Sequence, residues 1–180
     1  VRITFNAFGV KSDDNIEEMA TEEIAGAISL HHSEGAVQKE ARDILLGALD
    51  LGNREVEEIM LHRSQIEMIS TNSSPNEIFE KCLKSPYTRL PIYEDNPENV
   101  IGVLHAKDVL RSFKGFGLGQ STRRFNVNDM NILEVAMKPY FVPETTTLDQ
   151  QMKQFLKRKS HFALVVDEYG DLRGLITLED

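Results

Sequence analysis

Apolar and polar residues follow two rhythms along this chain, and the change of rhythm divides it. Over residues 1–60 the apolar positions recur every three or four residues. Ile16, Met19, Ala20, Ile24, Ala27 and Ile28 form one stripe, with Glu17, Glu18, Glu22 and Glu23 between them. That spacing gathers apolar side chains on one helix face and carboxylates on the other. Val37, Ala41, Ile44, Leu45, Ala48 and Leu49 predict a second helix, with Gly52 just beyond as a stop. Val56, Ile59 and Met60 predict a further short one. From Gln65 the period shortens. Ile66 to Ile69 reads as a strand. Ser74-Pro75-Asn76-Glu77 supplies an N-cap, a proline at the first helical position and a glutamate three residues after the cap, which starts a helix reaching about Lys84. Strands follow at 90–93 and 100–104 around a polar Asp-Asn-Pro turn. Residues 108–113 read as a short helix, and 114–126, without periodicity, as a connector.

The same order then returns. Ile132, Val135, Ala136 and Met137 echo Ile59-Met60. Tyr140 to Val142 reads as a strand. Thr146 and Thr147 cap a helix containing Met152, Phe155 and Leu156, and strands follow at 162–166 and 172–176. Gly102 falls on Gly174, His105 on Thr177 and Asp108 on Asp180, 72 positions apart; the helical positions align with a one-residue slip. A repeat of this length predicts one supersecondary unit used twice and packed against itself. The expected fold is α+β: two β-α-β-β-α units with pseudo-two-fold symmetry, preceded by a helical segment. The expected divisions are 1–60, a helical linker; 61–126, the first repeat and connector; and 127–180, the second repeat. The first copy continues past Asp108 into apolar Val109-Leu110, whereas the second stops at Asp180, and the chain opens on Val1. Truncation at both ends is the expectation.

Composition narrows the function. The net charge of −9 disfavours a nucleic-acid backbone as partner, because phosphate binding draws on clustered Lys and Arg. Arg123-Arg124 and Lys157-Arg158-Lys159 are short and read as solvated surface. Apolar runs stay far below the roughly 20 residues that a membrane helix needs, so this segment is not expected to span a bilayer. No signal-peptide pattern opens it. Cys82 is the only cysteine, which excludes an internal disulfide and points to a reducing compartment. Its place beside Phe79 and Leu83 in a helical pattern suits core packing. No Walker loop or paired metal-ligand spacing occurs. His31 and His32 are adjacent and would diverge by about 100° on a helix; His62, His105 and His161 are scattered. Neither an enzyme nor a metal site is expected, and acidic pairs such as Glu22-Glu23 and Glu57-Glu58 read as solvated faces.

The endings of the two copies carry a resemblance. Gly, two apolar residues, Ser or Thr, two residues and Asp is the pattern of the cystathionine-β-synthase (CBS) domain, and two in tandem resemble a Bateman module. Ser85 to Tyr93 (SPYTRLPIY), Tyr140 to Thr146 (YFVPETT) and Ser160 to Gly170 (SHFALVVDEYG) with Gly174 to Asp180 (GLITLED) resemble the CorC/HlyC family, related to the cyclin-M magnesium transporters. Asn6-Ala7-Phe8-Gly9-Val10-Lys11 resembles the stretch after that family's membrane domain. The resemblance implies the cytosolic regulatory piece of a magnesium or cobalt transport protein, on the cytoplasmic side of the membrane and joined to a transmembrane transport domain. It also implies a homodimer and an adenine nucleotide, ATP or AMP, bound between the copies.

The residues present suit such a ligand. A carboxylate at a strand-to-helix corner accepts both ribose hydroxyls, and Asp108 and Asp180 occupy that corner. Thr177, three residues earlier, has a hydroxyl for a phosphate oxygen. Val142, Pro143, Phe162 and Ala163 are the expected walls for the purine, and Arg89 the charged donor to phosphate. Each Asp also reads simply as a helix N-cap. His105 replaces the hydroxyl in the first copy, so the two sites are expected to be unequal. Mg2+ is expected to help ATP more than AMP, since one arginine serves the phosphates of an acidic chain. The alternative is a nucleotide-free dimerisation and interaction module.

Overall fold

A computed structural model describes residues 13–109 and 132–180. The Asn6–Lys11 stretch, Arg123-Arg124, the 114–126 connector and most of the expected 108–113 helix lie outside them. The described residues group into two compact units. The first holds helices α1 (Asp13–Ser33) and α2 (Lys39–Asp50). They are joined by a tight turn in which Gly35 adopts φ +80, a left-handed conformation that glycine enters without steric cost. Met19, Ile24, Leu30, Ile44 and Leu45 stay exposed.

The second unit contains both copies apart from residues 147–150, which group with the first. A 3-10 turn at Val56–Glu58 leads into β1 (Leu61–His62) and β2 (Ile69–Ser70). Helix α3 (Pro75–Lys84), β3 (Arg89–Tyr93) and β4 (Val100–His105) complete the first copy, and residues 106–109 begin a helix. The second copy runs α4 (Ile132–Val135), β5 (Phe141–Pro143), α5 (Leu148–Arg158), β6 (Phe162–Val166) and β7 (Leu172–Thr177). The start of α3 is the predicted capping box. Ser74 Oγ accepts from the Glu77 N–H at 3.4 Å, and Glu77 accepts from the Ser74 N–H at 2.7 Å.

Each copy makes a small sheet of the same design. One has strand order β2-β3-β4 and the other β1-β7-β6-β5. β2 lies parallel to β3 as β5 does to β6, and β3 runs antiparallel to β4 as β6 does to β7. Ile92 faces Gly102 and Val165 faces Gly174, with an irregularity after each. The one-residue slip has a local cause. The turn after β3 runs from 94 to 99, and that after β6 from 167 to 171, one residue shorter.

The lead-in of each copy pairs with the other copy, which the repeat alone did not predict. β1 lies antiparallel on β7, with Leu61 opposite Leu175. Met137, just after α4, exchanges two 2.9 Å backbone hydrogen bonds with Val103 on β4. These crossings explain the repeated glycines. A Cβ on Gly174 would stand 2.5 Å from the Leu61 carbonyl oxygen, and one on Gly102 would stand 3.0 Å from the Ala136 Cβ.

Strand parity separates two cores. Ile69, Ile78, Cys82, Leu90, Ile92 and Leu104 pack the first sheet on α3. Val100 and Val103 of one copy meet Phe162, Leu164 and Leu172 of the other in the layer between the sheets. Burial pushes the Cys82 thiol up, in keeping with a packing role.

Candidate functional site

The polar corner of the second copy is built by the end of β7. The Asp180 carboxylate accepts the Thr177 N–H at 2.6 Å, and the Thr177 hydroxyl accepts the Glu179 N–H at 3.3 Å. Thr177 thereby keeps its own proton for another acceptor, and Asp180 keeps its second carboxylate oxygen. In the first copy His105 Nδ1 takes the place of the hydroxyl and accepts the Lys107 N–H at 3.2 Å. The turn survives, but imidazole replaces the small hydroxyl.

Thr177 and Asp180 open onto a cavity of about 460 Å³, within the size range of small-molecule sites. Its walls are Phe162, Ile66, Leu61 and Leu175 on the apolar side, Pro86, Tyr87, Thr88 and Arg89 from the first copy, and His161, Glu67 and Glu179. Arg89 and Phe162 come together for a structural reason. They occupy equivalent positions, the first residues of β3 and β6, and pair with His105 and Thr177 respectively. Both therefore face the layer between the sheets. Among the described residues no carboxylate pairs with Arg89.

Of the residues expected to form the site, Thr177, Asp180, Phe162 and Arg89 line this one cavity. Val142, Pro143, Ala163 and Asp108 do not. Ala163 is adjacent to Phe162 on the same strand, so it points to the opposite face, pairs with Ile176 and is fully buried. Val142 pairs with Val165, three residues along β6 from Phe162, and is buried; Pro143 pairs with Val166 and is exposed. Asp108 is half-buried in the helical turn after β4. Sequence reasoning missed Ile66, Leu175 and Thr88. Strand parity, counted back from Thr177, was the signal available for Leu175; Ile66 lies in no strand and Thr88 is the neighbour of Arg89, so parity reaches neither.

Among the described residues no three His, Cys, Asp or Glu side chains gather to hold a metal, and no helix is long and apolar enough to cross a membrane. His31 lies 3.2 Å from Glu34, whereas His32 Nδ1 lies 2.8 Å from the Val37 carbonyl oxygen, so the adjacent histidines diverge.

Two stretches, residues 56–115 and 132–180, match the family model described as CBS domain. The chain belongs to the CBS-domain family. This is a regulatory family and not a catalytic one. The magnesium and cobalt efflux protein CorC of Pasteurella multocida (strain Pm70) is 30% identical over 159 residues, 88% of this chain and 50% of its own length. The chain spans about half or less of the curated relatives it matches. Among solved structures, the CBS domain of the bacterial CNNM/CorC family Mg2+ transporter is 27% identical with a TM-score of 0.76, covering 88% of this chain and 90% of that one. The same domain in complex with ATP is 30% identical with a TM-score of 0.63, covering 73% and 87%. A CBS-domain pair with bound AMP from Klebsiella pneumoniae is 32% identical with a TM-score of 0.57, covering 70% and 93%.

Proposed function

We propose that this chain is the nucleotide-responsive regulatory module of a CorC-like magnesium or cobalt transport protein. It acts as a homodimer, attached to a transmembrane transport domain on the cytoplasmic side of the membrane. An adenine nucleotide occupies the cavity of Thr177, Asp180, Phe162 and Arg89. The observation that carries the reading is the convergence there of an arginine from one copy, held by no carboxylate among the described residues, with the threonine-aspartate corner of the other. The similar domains solved with ATP and with AMP support it.

The base lies against Phe162, Ile66 and Leu175. The second oxygen of Asp180 accepts from ribose hydroxyls, the Thr177 hydroxyl donates to phosphate, and Arg89 pairs with phosphate charge. Glu67, Glu179 and Asp180 line the same cavity, so a polyphosphate meets negative charge as well as Arg89. These carboxylates do not form a metal cage. Mg2+ would therefore be held chiefly by the phosphates, offsetting that repulsion more for ATP than for AMP.

The test is calorimetric titration with ATP, ADP and AMP, with and without Mg2+. Asp180→Ala and Thr177→Val are expected to weaken binding by roughly ten- to a hundredfold, the effect of losing a charge-assisted partner. Asp108→Ala is expected to matter less. No heat with any adenine nucleotide would refute the reading and leave a nucleotide-free dimerisation module. Light scattering checks the dimer.

A further inference from the structure

The two crossings between the copies differ in length. Met137, opposite Val103, and Val142, opposite Val165, are five positions apart. Leu61, opposite Leu175, and Ile69, opposite Ile92, are eight apart. Ile92 and Val165 hold equivalent places, each facing a repeated glycine. The first crossing is therefore the longer one, and the 3-10 turn Arg63–Gln65 accounts for the excess. This longer crossing is a wall of the cavity, since Leu61, Ile66 and Glu67 line it. Little sheet pairing seats it. β1 and β2 have two residues each, and no residue of the turn between them is buried. Within the turn, His62 Nδ1 accepts the Ser64 N–H at 3.3 Å and the Arg63 carbonyl accepts the Ile66 N–H at 3.3 Å.

Arg63 supplies the anchorage. Its Nη1 donates to Glu98 Oε1 at 2.6 Å and, at a longer 3.4 Å, to the carbonyl of Leu172 at the start of β7. One guanidinium thus ties the crossing both to the hairpin turn of the first copy and to a strand of the second. The turn is built to present Glu98. The Asn96 side-chain oxygen accepts the Glu98 N–H at 3.1 Å, and the Asn99 side-chain amide donates to the Glu94 carbonyl at 3.2 Å. Neither Arg63 nor Glu98 lines the cavity. Each side chain is 42% exposed, and an ion pair so open to water adds little to overall stability. Its effect falls instead on where the crossing sits.

We infer, on the nucleotide reading of that cavity, that the Arg63–Glu98 pair sets nucleotide affinity from outside it. Arg63 is a positioning residue for the wall at 61–67, and Glu98, on an exposed turn, is the point from which that wall is released. By linkage, a nucleotide that orders the wall tightens the pair in turn. The test joins calorimetric titration with AMP to hydrogen exchange of the 61–67 amides in the nucleotide-free chain. Arg63→Met and Glu98→Gln are each expected to weaken AMP binding by about threefold to tenfold, and the double variant by no more than either alone, because both act through one pair. Arg63→Lys keeps the charge and is expected to recover most of the affinity. Exchange at 61–67 is expected to quicken in both single variants while the α3 amides keep parent rates, which a general loss of folding would not spare. Arg42→Met breaks a surface pair of the same 2.6 Å length on α2 and leaves AMP binding unchanged. Unaltered exchange at 61–67 overturns the positioning role whether or not a nucleotide binds. Quickened exchange with parent-like AMP affinity, or losses that add in the double variant, overturns the control of affinity by this pair. No AMP binding by the parent overturns the nucleotide reading and that control with it, while quickened exchange in the variants still establishes the anchor.

Discussion

Gly174→Ala tests the reason for the repeated glycine. The added methyl meets the Leu61 carbonyl oxygen at 2.5 Å, Met60 Sδ at 2.7 Å and Met60 Cγ at 3.1 Å. The sulfur sits on a flexible side chain and can swing away. The carbonyl belongs to β1 and cannot move without parting β1 from β7. Overpacking of this kind costs about 1–3 kcal/mol, and each weakened backbone hydrogen bond about 1 kcal/mol. Restricting the unfolded chain returns about 0.4–1 kcal/mol. The net expectation is a loss of about 2–3 kcal/mol. Gly102→Ala is the internal comparison. Its nearest neighbours are the Ala136 methyl at 3.0 Å and the Met137 oxygen at 3.5 Å, so a shift of a few tenths of an ångström suffices and the expected loss is under about 1 kcal/mol. Urea unfolding with an unchanged slope reads both. Leu61 and Leu175 line the cavity of Thr177 and Asp180, so Gly174→Ala is also expected to weaken nucleotide binding and Gly102→Ala to spare it. Equal losses from the two substitutions, or a Gly174→Ala loss under about 0.5 kcal/mol, would show that the crossing of β1 onto β7 is not what the glycine serves.

Gly47 lies exposed inside α2, and an added methyl there would meet nothing within 4 Å, so Gly47→Ala is expected to stabilise that helix by about 0.5–1 kcal/mol, read by circular dichroism during a thermal melt. Ser74→Ala removes the α3 cap and is expected to cost about 1 kcal/mol in urea. The Ser74 N–H and, to a lesser extent, its hydroxyl hold the Glu77 carboxyl below its ordinary range, so the stabilisation from these bonds is present at neutral pH and lost as pH falls through that lowered value; Ser74→Ala keeps the N–H and removes the hydroxyl, so it should flatten the acid limb of the stability profile only in part. Gln151 is buried with Nε2 unpartnered, and its Oε1 accepts from Tyr140 at a long 3.4 Å, so Gln151→Met is expected to be neutral or stabilising by about 1 kcal/mol; a loss above about 2 kcal/mol in the same urea assay would refute the lack of a partner.

Local signals in the chain were strong where chemistry and period agreed. The Ser74–Glu77 box, the apolar strands at 90–93 and 100–104, and the glycine-to-aspartate endings each have a local cause, and each was legible. The crossing of β1 onto β7 was not. Two residues carry no period, and their partner is more than a hundred positions away. Of the four expected purine walls, Phe162 lines the cavity and Val142, Pro143 and Ala163 do not. Phe162 and Ala163 are neighbours on one strand, so their side chains point to opposite faces, and Val142, level with Val165, shares the side of Ala163. Pairing Thr177 with Phe162 first would have selected Leu175 and rejected Ala163. Lys157-Arg158-Lys159 read as surface, and all three are exposed, with Arg158 lying over the Tyr140 ring at 4.4 Å.

Arg89→Ala is the substitution that the nucleotide reading must survive. Arg89 begins β3, pairs with His105 and lines the cavity of Thr177 and Asp180. Its loss is expected to lower AMP and ATP affinity by roughly tenfold or more, read by calorimetry. Salt separates its share from the rest: the contact of Arg89 with phosphate rests on charge and should weaken with ionic strength, whereas AMP keeps its contacts to Phe162, Ile66 and Leu175. An Arg89→Ala protein that binds both nucleotides like the parent would remove the arginine from the site and leave its position at the head of β3 a matter of folding alone.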